Sequence, residues 1–218
     1  MYCATGNAGK LEEFRLAARQ CAPDVELEIE AVPGYKGIEP CVEDGDTFGD
    51  NAVIKVRHYA RHAEGYVFAD DSGLVVEALG GAPGVLSARF SGPGATDEAN
   101  NKLLLKKMRG VKNRAASFVC LIALMDGRRH VGIFAGRVQG EILSKPRGTG
   151  GFGYDPLFYC PELGCTFGEA TEEQKLQVSH RGQAFRSMLA RVFPPKPVTT
   201  PDAPGPKPGT WPFPKHDG

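Results

Sequence analysis

The stretch FADDSG, residues 68–73, constrains the fold most, because it places two carboxylates side by side between apolar runs. YVFA precedes the pair and LVVEAL follows it, and both runs are typical of buried strands. Two neighbouring ionised acids repel each other, so one takes up a proton unless a cation lies nearby. If the first strand ends at Ala69, a loop can aim Asp70 and Asp71 outward together. The alternative is that the two aspartates only form a turn or cap a helix.

Composition argues against several kinds of protein. Lysine plus arginine equal aspartate plus glutamate at 26 each, so a zero net charge gives no general attraction for nucleic acid or an anionic membrane. We expect no membrane span, because no apolar run of about 18 residues occurs. The N-terminus MYCATGNAGK lacks the pattern of a secretion signal. Six cysteines without a CxxC pair favour reduced thiols in a cytoplasmic protein.

The chain divides into two regions of different composition. Residues 1–193 alternate predicted strands and helices and then contain a hairpin, which favours one α/β domain with a mixed central β-sheet flanked by helices. Residues 194–218 contain nine of the seventeen prolines and little apolar surface to bury. We therefore expect a Pro-rich disordered or extended tail there, which is either an inert extension or an interaction segment.

Hydrophobic periodicity and capping residues predict the elements of the domain. Asn7, Thr47 and Thr96 are predicted to cap three helices, with Asp50 completing a capping box after Thr47. The predicted helices cover residues 11–21, 47–63, 97–108, 171–179 and 179–193. The predicted strands cover residues 2–4, 25–32, 66–69, 74–79, 116–125 and 130–142, the last two joined at Asp126-Gly127.

The N-terminal stretch TGNAGK, residues 5–10, is a candidate anion-binding loop. Its glycines allow a close backbone approach, and the following helix start presents free N–H groups with partial positive charge. Lys10 is unfavourable in the first turn of a helix, which an anion nearby would explain. It is not a Walker A loop, since Leu11 follows the lysine, and an ordinary helix start is the alternative.

Acidic side chains on both sides of the second helix suggest a metal site. Mg²⁺ prefers oxygen ligands, and one or two carboxylates plus substrate phosphates commonly hold it. Asp70 and Asp71 are the first candidates, and one of Glu43, Asp44 and Asp46 could add a ligand, unless VEDGDTF is a solvated acidic turn. Lys55, on a helix rich in apolar residues, either points into a cleft or is an ordinary surface lysine.

The second half of the chain supplies candidates for binding a ring. The glycine-dense GTGGFGYDP presents Phe152, Tyr154 and Asp155, which combine an aromatic face with a hydrogen-bonding carboxylate. His180 and Arg181 at a helix start suit a carbonyl or phosphate acceptor, although a lone histidine is more often structural. Together with Lys10, Lys55 and Lys175 as cations for phosphates, these groups indicate a nucleoside triphosphate.

With these motifs, the chain resembles the inosine/xanthosine triphosphate pyrophosphatase family, over residues 3 to about 193. The motifs that carry the resemblance are TGNAGK (5–10), EDGDTFGDNAVIK (43–55), ADDSGL (69–74), LGGAPGVLSARFSG (79–92), GTGGFGYDP (148–156) and SHRGQA (179–184). The resemblance implies an ITPase-like (Maf/Ham-type) fold. It also implies Mg²⁺-dependent hydrolysis of ITP, dITP and XTP to the monophosphate plus pyrophosphate, by a homodimer.

The resemblance also implies a role for each site residue. Asp71 corresponds to the general base, assisted by Asp70, and Glu43 and Asp71 correspond to the metal ligands. The implied triphosphate contacts are Thr5, Gly6, Asn7, Ala8, Gly9, Lys10, Lys55 and Ser72. The implied base pocket consists of Phe152, Gly153, Tyr154, Asp155, Lys175, His180 and Arg181.

Two other functions stay open at this point. One is a pyrophosphatase for modified pyrimidine or methylated nucleotides on the same scaffold. The other is a nucleotide-binding regulator without turnover, whose Pro-rich tail recruits a partner, although the intact carboxylates at Asp70 and Asp71 favour an enzyme.

Overall fold

The computed structural model describes residues 1–21 and 27–194. The predicted Pro-rich tail, apart from Pro194, lies outside the described residues, as does the start of the strand predicted over residues 25–32. None of the described helices is both long and apolar enough to cross a membrane.

Seven strands and five α-helices are described, in an order that alternates in the first half of the chain. They are β1 (Tyr2–Cys3), α1 (Ala8–Cys21), β2 (Glu30–Ala31), α2 (Phe48–Tyr59), β3 (Tyr66–Val76), α3 (Asp97–Lys107), β4 (Ala115–Asp126), β5 (Arg129–Ile142), β6 (Phe158–Cys160), β7 (Cys165–Thr166), α4 (Glu172–Val178) and α5 (His180–Val192). Short 3₁₀ helices occupy Tyr35–Gly37, Ala60–His62, Glu77–Leu79 and Gly84–Arg89.

The strands form one mixed sheet in the order β2-β1-β3-β4-β5-β6-β7. β1 is parallel to β2 and β3, and the other pairs are antiparallel. Helices pack on both faces, which confirms the predicted α/β class with a mixed sheet. The hairpin between β4 and β5 turns where predicted, with Gly127 at φ 56°.

The prediction of two strands around FADDSG is wrong. β3 runs without a break from Tyr66 to Val76 and pairs with β4 along its whole length, Asp70 opposite Ile122 and Asp71 opposite Leu121. Only the end of the second predicted strand, Glu77–Leu79, leaves the sheet as a 3₁₀ helix. Because side chains alternate along a strand, the two aspartates point to opposite faces of the sheet instead of outward together.

The shortness of β1 opens an edge of β3. Of β3, β1 covers only Val67 and Phe68, and the chain leaves the sheet after the Ala4 amide donates to the Phe68 carbonyl at 2.8 Å. From Asp70 to Gly73 the described residues put no strand on this side of β3. A functional cavity can therefore form beside a strand that is otherwise in the middle of the sheet.

Three apolar clusters fix the helices on the sheet. Phe14 of α1 and Phe185 of α5 pack on Phe68 on one face, with ring centroids 5.0 to 5.7 Å apart. On the opposite face, Val56 of α2 belongs to a second cluster, which includes Val67 of β3. Leu104 of α3 belongs to a third cluster at the far end of β3, which includes Leu74 and therefore lies on the same face as Phe68. The clusters place the starts of α1, α2 and α5 around the open edge of β3.

The predicted helix caps are observed. Asn7 Oδ1 accepts from the Lys10 amide at 3.0 Å, Thr47 Oγ1 accepts from the Asp50 amide at 3.1 Å, and Thr96 Oγ1 accepts from the Ala99 amide at 3.1 Å. At Thr47 the second bond differs from a capping box, because the hydroxyl donates to the Asp50 carboxylate. A capping box does occur at α4, between Thr171 and Gln174.

The strand predicted over residues 25–32 is shorter than expected. Its described part pairs only at Glu30–Ala31, since β1 offers it two residues of partner strand. β6 and β7 lie in residues 157–170, for which the sequence pattern predicts no element.

Candidate active site

A cavity of about 300 Å³ lies at the open edge of β3. Sixteen of the predicted site residues line it: Thr5, Gly6, Asn7, Lys10, Glu43, Lys55, Asp70, Asp71, Ser72, Phe152, Gly153, Tyr154, Asp155, Lys175, His180 and Arg181. Ala8 and Gly9 do not line it, because they form the first turn of α1 behind it, where a Cβ on Gly9 would lie 2.9 Å from the Phe152 ring. These sixteen come from five of the six motifs and from Lys175, and Ser87 and Arg89 of the remaining motif, residues 79–92, also line the cavity.

Asp70 lies on the α1 and α5 face of the sheet and is paired with Lys10. Lys10 Nζ donates to Asp70 Oδ2 at 2.8 Å, and the Ser72 hydroxyl donates to the same oxygen at 3.0 Å. The anion expected beside Lys10 is therefore Asp70 itself. Burial alone would raise the pKa of Asp70, but Lys10, Arg181 and Lys55 hold it well below its ordinary value. Asp70 accordingly stays ionised.

Asp71 lies on the opposite face and meets α2. Lys55 Nζ donates to Asp71 Oδ1 at 3.2 Å, and Asn51 Nδ2 donates to Asp71 Oδ2 at 3.3 Å. Burial raises the pKa of Asp71 above its ordinary value, although Lys55 and Lys10 oppose it. Lys55 is 8% exposed, so the interpretation as an ordinary surface lysine is wrong.

The acidic segment before α2 contributes one side chain to the cavity. Glu43 Oε2 lies 2.9 Å from Lys55 Nζ, whereas Asp44 and Asp46 are exposed and do not line the cavity. We refer to the five residues Lys10, Asp70, Lys55, Asp71 and Glu43 as the lysine–acid pairs. A lysine neutralises each β3 aspartate, so the two carboxylates need no metal ion to be tolerated in the fold.

The lysine–acid pairs nevertheless include a donor set that fits Mg²⁺. Glu43 Oε2 and Asp71 Oδ1 both face Lys55 Nζ, so two carboxylate oxygens converge on one point at the cavity. Within residues 1–21 and 27–194, no three or more His, Cys, Asp or Glu side chains are placed to share a metal ion. Two carboxylates are enough where substrate phosphates and waters complete the coordination, as is usual for Mg²⁺.

The charges of the cavity wall cancel. Of the residues that the structure describes, five basic side chains line it, Lys10, Lys55, Arg89, Lys175 and Arg181, and five acidic ones, Glu43, Asp70, Asp71, Asp97 and Asp155. The cations therefore give no net attraction for a triphosphate, contrary to what the lysines and Arg181 suggest when taken alone. A bound divalent cation would make the site net positive.

The other end of the cavity is formed by a buried ion cluster, which we define as Glu13, Asp155, Lys175 and Arg181. Lys175 Nζ donates to Glu13 Oε1 at 2.5 Å and to Asp155 Oδ2 at 2.6 Å, and Arg181 donates to Glu13 Oε2. Burial would raise the pKa of Glu13, but Arg181 and Lys175 together hold it below its ordinary value. The four charges sum to zero and pair with one another, while Arg181 Nε finds no hydrogen-bond partner in the described part of the chain.

Phe152 and Tyr154 are fixed by this cluster and by the 3₁₀ segment Gly84–Arg89. Lys175 Nζ lies 4.9 Å and the Arg181 guanidinium 5.3 Å from the Phe152 ring centroid, which are cation–π contacts. The Tyr154 hydroxyl donates to the Ser87 carbonyl at 2.8 Å. The aromatic platform predicted from GTGGFGYDP is thus held rigidly from two sides.

His180 lies at the start of α5, buried against Phe118. The two rings stack with centroids 4.8 Å apart. Burial, reinforced by Arg181 and Lys175, holds the pKa of His180 well below its ordinary value, so the imidazole is neutral. Its Nδ1 finds no hydrogen-bond partner in the described part of the chain, and the side chain lines the cavity.

The open edge of β3 also presents backbone groups to the cavity. The Leu74 amide donates to Ser87 Oγ at 2.9 Å, and the Phe68 carbonyl accepts from the Ala4 amide. The backbone N–H and C=O groups of residues 68 and 74 therefore point to this edge. Because backbone direction alternates along a strand, the N–H groups of Asp70 and Ser72 face the same way. Gly73 permits this arrangement, since a Cβ there would collide with Ser87.

Sequence reasoning missed several side chains of the site. They are Glu13, Asn51, Ser87, Arg89 and Asp97. Glu13 left one detectable signal: it directly precedes Phe14 on the apolar side of α1, where a glutamate is unusual unless it is paired. The others sit in helices or loops where polar residues are ordinary, so no pattern distinguishes them.

With the geometry established, comparison with known proteins identifies the family. The model of the Ham1 family matches residues 1–191. The chain belongs to the Ham1 family. A curated member named dITP/XTP pyrophosphatase from Acidobacterium capsulatum is 48% identical over 201 residues, covering 88% of this chain and 97% of that protein. A second one with that name, from Geobacter sulfurreducens, is 48% identical over 186 residues, covering 84% and 90%.

Solved structures of the Ham1 family share the fold. A HAM1 protein from Coxiella burnetii superposes with a TM-score of 0.77 at 37% identity, covering 88% of this chain and 96% of that one. The Ham1 protein of Staphylococcus aureus superposes with a TM-score of 0.74 at 38% identity, covering 88% and 96%. These similarities confirm the family resemblance and the ITPase-like fold predicted from the six motifs.

Proposed function

We propose that this chain hydrolyses non-canonical purine nucleoside triphosphates, dITP, ITP and XTP, to the monophosphate and pyrophosphate. One observation carries the proposal: a single cavity is lined both by the lysine–acid pairs and by the aromatic and charged side chains of Phe152, Tyr154, Asp155, Lys175 and Arg181. Family membership supports it, since the Acidobacterium and Geobacter relatives are named dITP/XTP pyrophosphatases.

The triphosphate lies, on this proposal, between the start of α1 and the open edge of β3. The N-terminus of α1 supplies N–H groups and a favourable dipole, and the Ser72 amide supplies a further donor. Thr5 and Asn7 position the loop, because the Asn7 amide donates to Thr5 Oγ1 at 3.2 Å. Lys10 and Lys55 exchange part of their contact with Asp70 and Asp71 for contact with phosphate oxygens.

Asp71 acts as the general base for the attacking water at the α-phosphorus. A base must be within hydrogen-bond reach of the water and have a pKa raised toward working pH, and burial gives Asp71 such a shift. Lys55 and Asn51 hold the carboxylate in place from α2. Asp70, ionised and fixed by Lys10, keeps that lysine at the phosphates.

Glu43 and Asp71 would hold Mg²⁺ in this site, completed by phosphate oxygens and water. When bound, the ion supplies positive charge that stabilises the charge on the phosphoryl group being transferred. The neutral cavity wall supports a requirement for Mg²⁺, since the side chains alone do not offset the charge of a triphosphate.

The buried end of the cavity selects the base. Hypoxanthine carries a carbonyl at C6 and an N–H at N1, whereas adenine carries an amino group and a bare nitrogen. A neutral His180 and the Arg181 guanidinium can donate to the carbonyl, since His180 Nδ1 and Arg181 Nε have no hydrogen-bond partner in the described part of the chain. Adenine would leave those donors unpaired. A site that hydrogen-bonds its ligand in this way rejects an analogue lacking the partner by about 10⁴–10⁵.

Release of pyrophosphate from ITP, XTP, dITP, dUTP and ATP, with and without Mg²⁺, tests the proposal. We expect turnover of the first three only with Mg²⁺, and a kcat/KM for ATP lower by about 10⁴–10⁵. Equal kcat/KM for ATP and ITP would refute the base pocket, and preference for dUTP or a methylated nucleotide would favour the alternative pyrophosphatase. Tight binding without turnover would favour a regulator. The homodimer and the cytoplasmic location implied by the resemblance stay predictions.

A further inference from the structure

The hairpin β6–β7 places two cysteines directly opposite each other. Cys160 and Cys165 are register partners in an antiparallel pair, joined by the turn 161–164. Opposite residues of antiparallel strands project to the same face, with Cα atoms about 4.5–5.5 Å apart. A disulfide requires about 4.4–6.8 Å between Cα atoms, so the backbone already meets this condition.

The surroundings of the two sulfurs differ. Cys160 is fully buried, while Cys165 is half-buried and can be reached from solvent. Burial raises the pKa of Cys160, but the backbone N–H groups of Leu163 and Glu162 oppose this, and Cys165 is close enough to act on it electrostatically. The turn therefore holds Cys160 next to the more accessible thiol.

Neither Cys3 with Cys120 nor Cys21 with Cys41 is placed to form such a pair. Cys3 and Cys120 are both fully buried, but they lie on β1 and β4 with β3 between them, which separates them by at least two strand spacings, or about 9–10 Å. They are also out of register, since Cys3 lies opposite Phe68 and Cys120 opposite Ser72. Cys21 packs with the α1 and α5 cluster and Cys41 with the α2 cluster, on opposite faces of the sheet. All six cysteines lie in the part of the chain that the structure describes.

We propose that Cys160 and Cys165 are a modification site that a peroxide converts to an intramolecular disulfide. The accessible Cys165 thiolate attacks one peroxide oxygen, which gives a sulfenic acid and releases water or an alcohol. The Cys160 sulfur then attacks the Cys165 sulfur, the S–O bond breaks, and a second water leaves. Two thiols are oxidised by two electrons in total, and one peroxide is reduced.

The position of the hairpin gives this modification a structural consequence. Phe158, two residues before Cys160, packs on Phe118 and Phe167 with centroids 4.6 and 5.0 Å apart, and Phe118 stacks on His180. Gly168, just after β7, donates to the Asp155 carbonyl at 3.0 Å. The disulfide would thus tie β6 to β7 at the turn, two residues from the Phe158 contacts that support the base end of the cavity, without touching the cavity itself.

The test uses the full chain, reduced, freed of reductant and treated with a small excess of hydrogen peroxide. We expect the thiol count of the denatured protein to fall from six to four, with the mass of two hydrogen atoms lost and the 160–165 peptide cross-linked. Cys160→Ser is expected to leave Cys165 as a sulfenic acid that a dimedone probe traps. Cys165→Ser is expected to leave the thiol of Cys160 unmodified.

Cys21→Ser and Cys41→Ser are the matched controls, since each removes a partly exposed thiol outside the hairpin and should leave the cross-link intact. The proposal is overturned by oxidation that stops at sulfinic acid, by bridges to other cysteines or between chains, or by an unchanged thiol count. These outcomes do not depend on the proposed enzymatic activity, which is measured separately on the reduced protein.

Discussion

The two ends of the cavity use similar residues in different ways. In the lysine–acid pairs the Lys10–Asp70 and Lys55–Asp71 contacts measure 2.8 and 3.2 Å, and a third of the Glu43 side chain is exposed. In the buried ion cluster, Lys175 bonds two carboxylates at 2.5 and 2.6 Å, and Glu13 accepts from two cations. The first arrangement can exchange partners for a ligand, whereas the second works as a rigid frame.

Breaking the exchangeable end should abolish catalysis and preserve the fold. Asp71→Asn removes the proposed base, so we expect kcat for ITP to fall by at least about 10² and up to about 10⁴, as general-base help is typically worth. The measurement is steady-state pyrophosphate release, with circular dichroism as the check on folding. Asp126→Asn, at an exposed ion pair with Arg129, should leave kcat unchanged. Near-normal turnover by Asp71→Asn would remove Asp71 from the mechanism.

Breaking the rigid end, in contrast, should lower the stability of the fold. Glu13→Gln leaves the buried cations Lys175 and Arg181 without their shared carboxylate, so we expect the free energy of unfolding to fall by about 3–5 kcal/mol. Urea denaturation measures this. Glu12→Gln, one residue earlier at an exposed pair with Arg15, should change it by at most about 0.5 kcal/mol. Equal stability of the two variants would show that the cluster is not a frame.

A smaller effect, on the Mg²⁺ requirement, should distinguish Glu43 from Asp44. Glu43→Gln should raise the Mg²⁺ concentration for half-maximal activity by at least about tenfold, because one of two carboxylate ligands is lost. Asp44→Asn, which alters an exposed carboxylate, should not. Calorimetric titration of Mg²⁺ with a non-hydrolysable nucleotide gives a readout independent of turnover. A stronger effect of Asp44→Asn than of Glu43→Gln would show that Asp44, and not Glu43, is the metal ligand.

The smallest predicted effect is the pH dependence of stability at His180. Its pKa is depressed in the folded protein, so below about pH 6.5 only the unfolded chain takes up this proton, and stability falls as the pH falls. We expect the wild-type chain to lose up to about 1.4 kcal/mol per pH unit more than His180→Gln between pH 6 and 5. Parallel pH profiles of unfolding for the two proteins would contradict a buried neutral imidazole.

The sequence predicted the participants in the site better than their pairings. The charges and rings of separate motifs, together with the family resemblance, were enough to assign Lys10, Lys55 and Asp155 to one nucleotide site. The continuity of β3 was not predictable, since aspartates are disfavoured in strands and their lysine partners lie 16 and 60 residues away. Tertiary pairing outweighed local propensity there.

The pairing of Glu13 was likewise not predictable from the sequence. Its two partners, Lys175 and Arg181, are 162 and 168 residues away, so no local pattern could connect them. β6 and β7 were missed because strands of three and two residues carry almost no periodicity. What the sequence encodes locally was predicted, and what depends on distant contacts required the structure.

The two-residue length of β1 has a consequence for any redesign of the N-terminus. Residues inserted between Ala4 and Thr5 could continue the parallel ladder, and their amides and carbonyls would then saturate those of Asp70 and Ser72. Such a chain would have a longer β1 but would lose the cavity at the edge of β3, although every residue that lines the cavity would still be present. Truncation of a strand is here what creates room for a ligand.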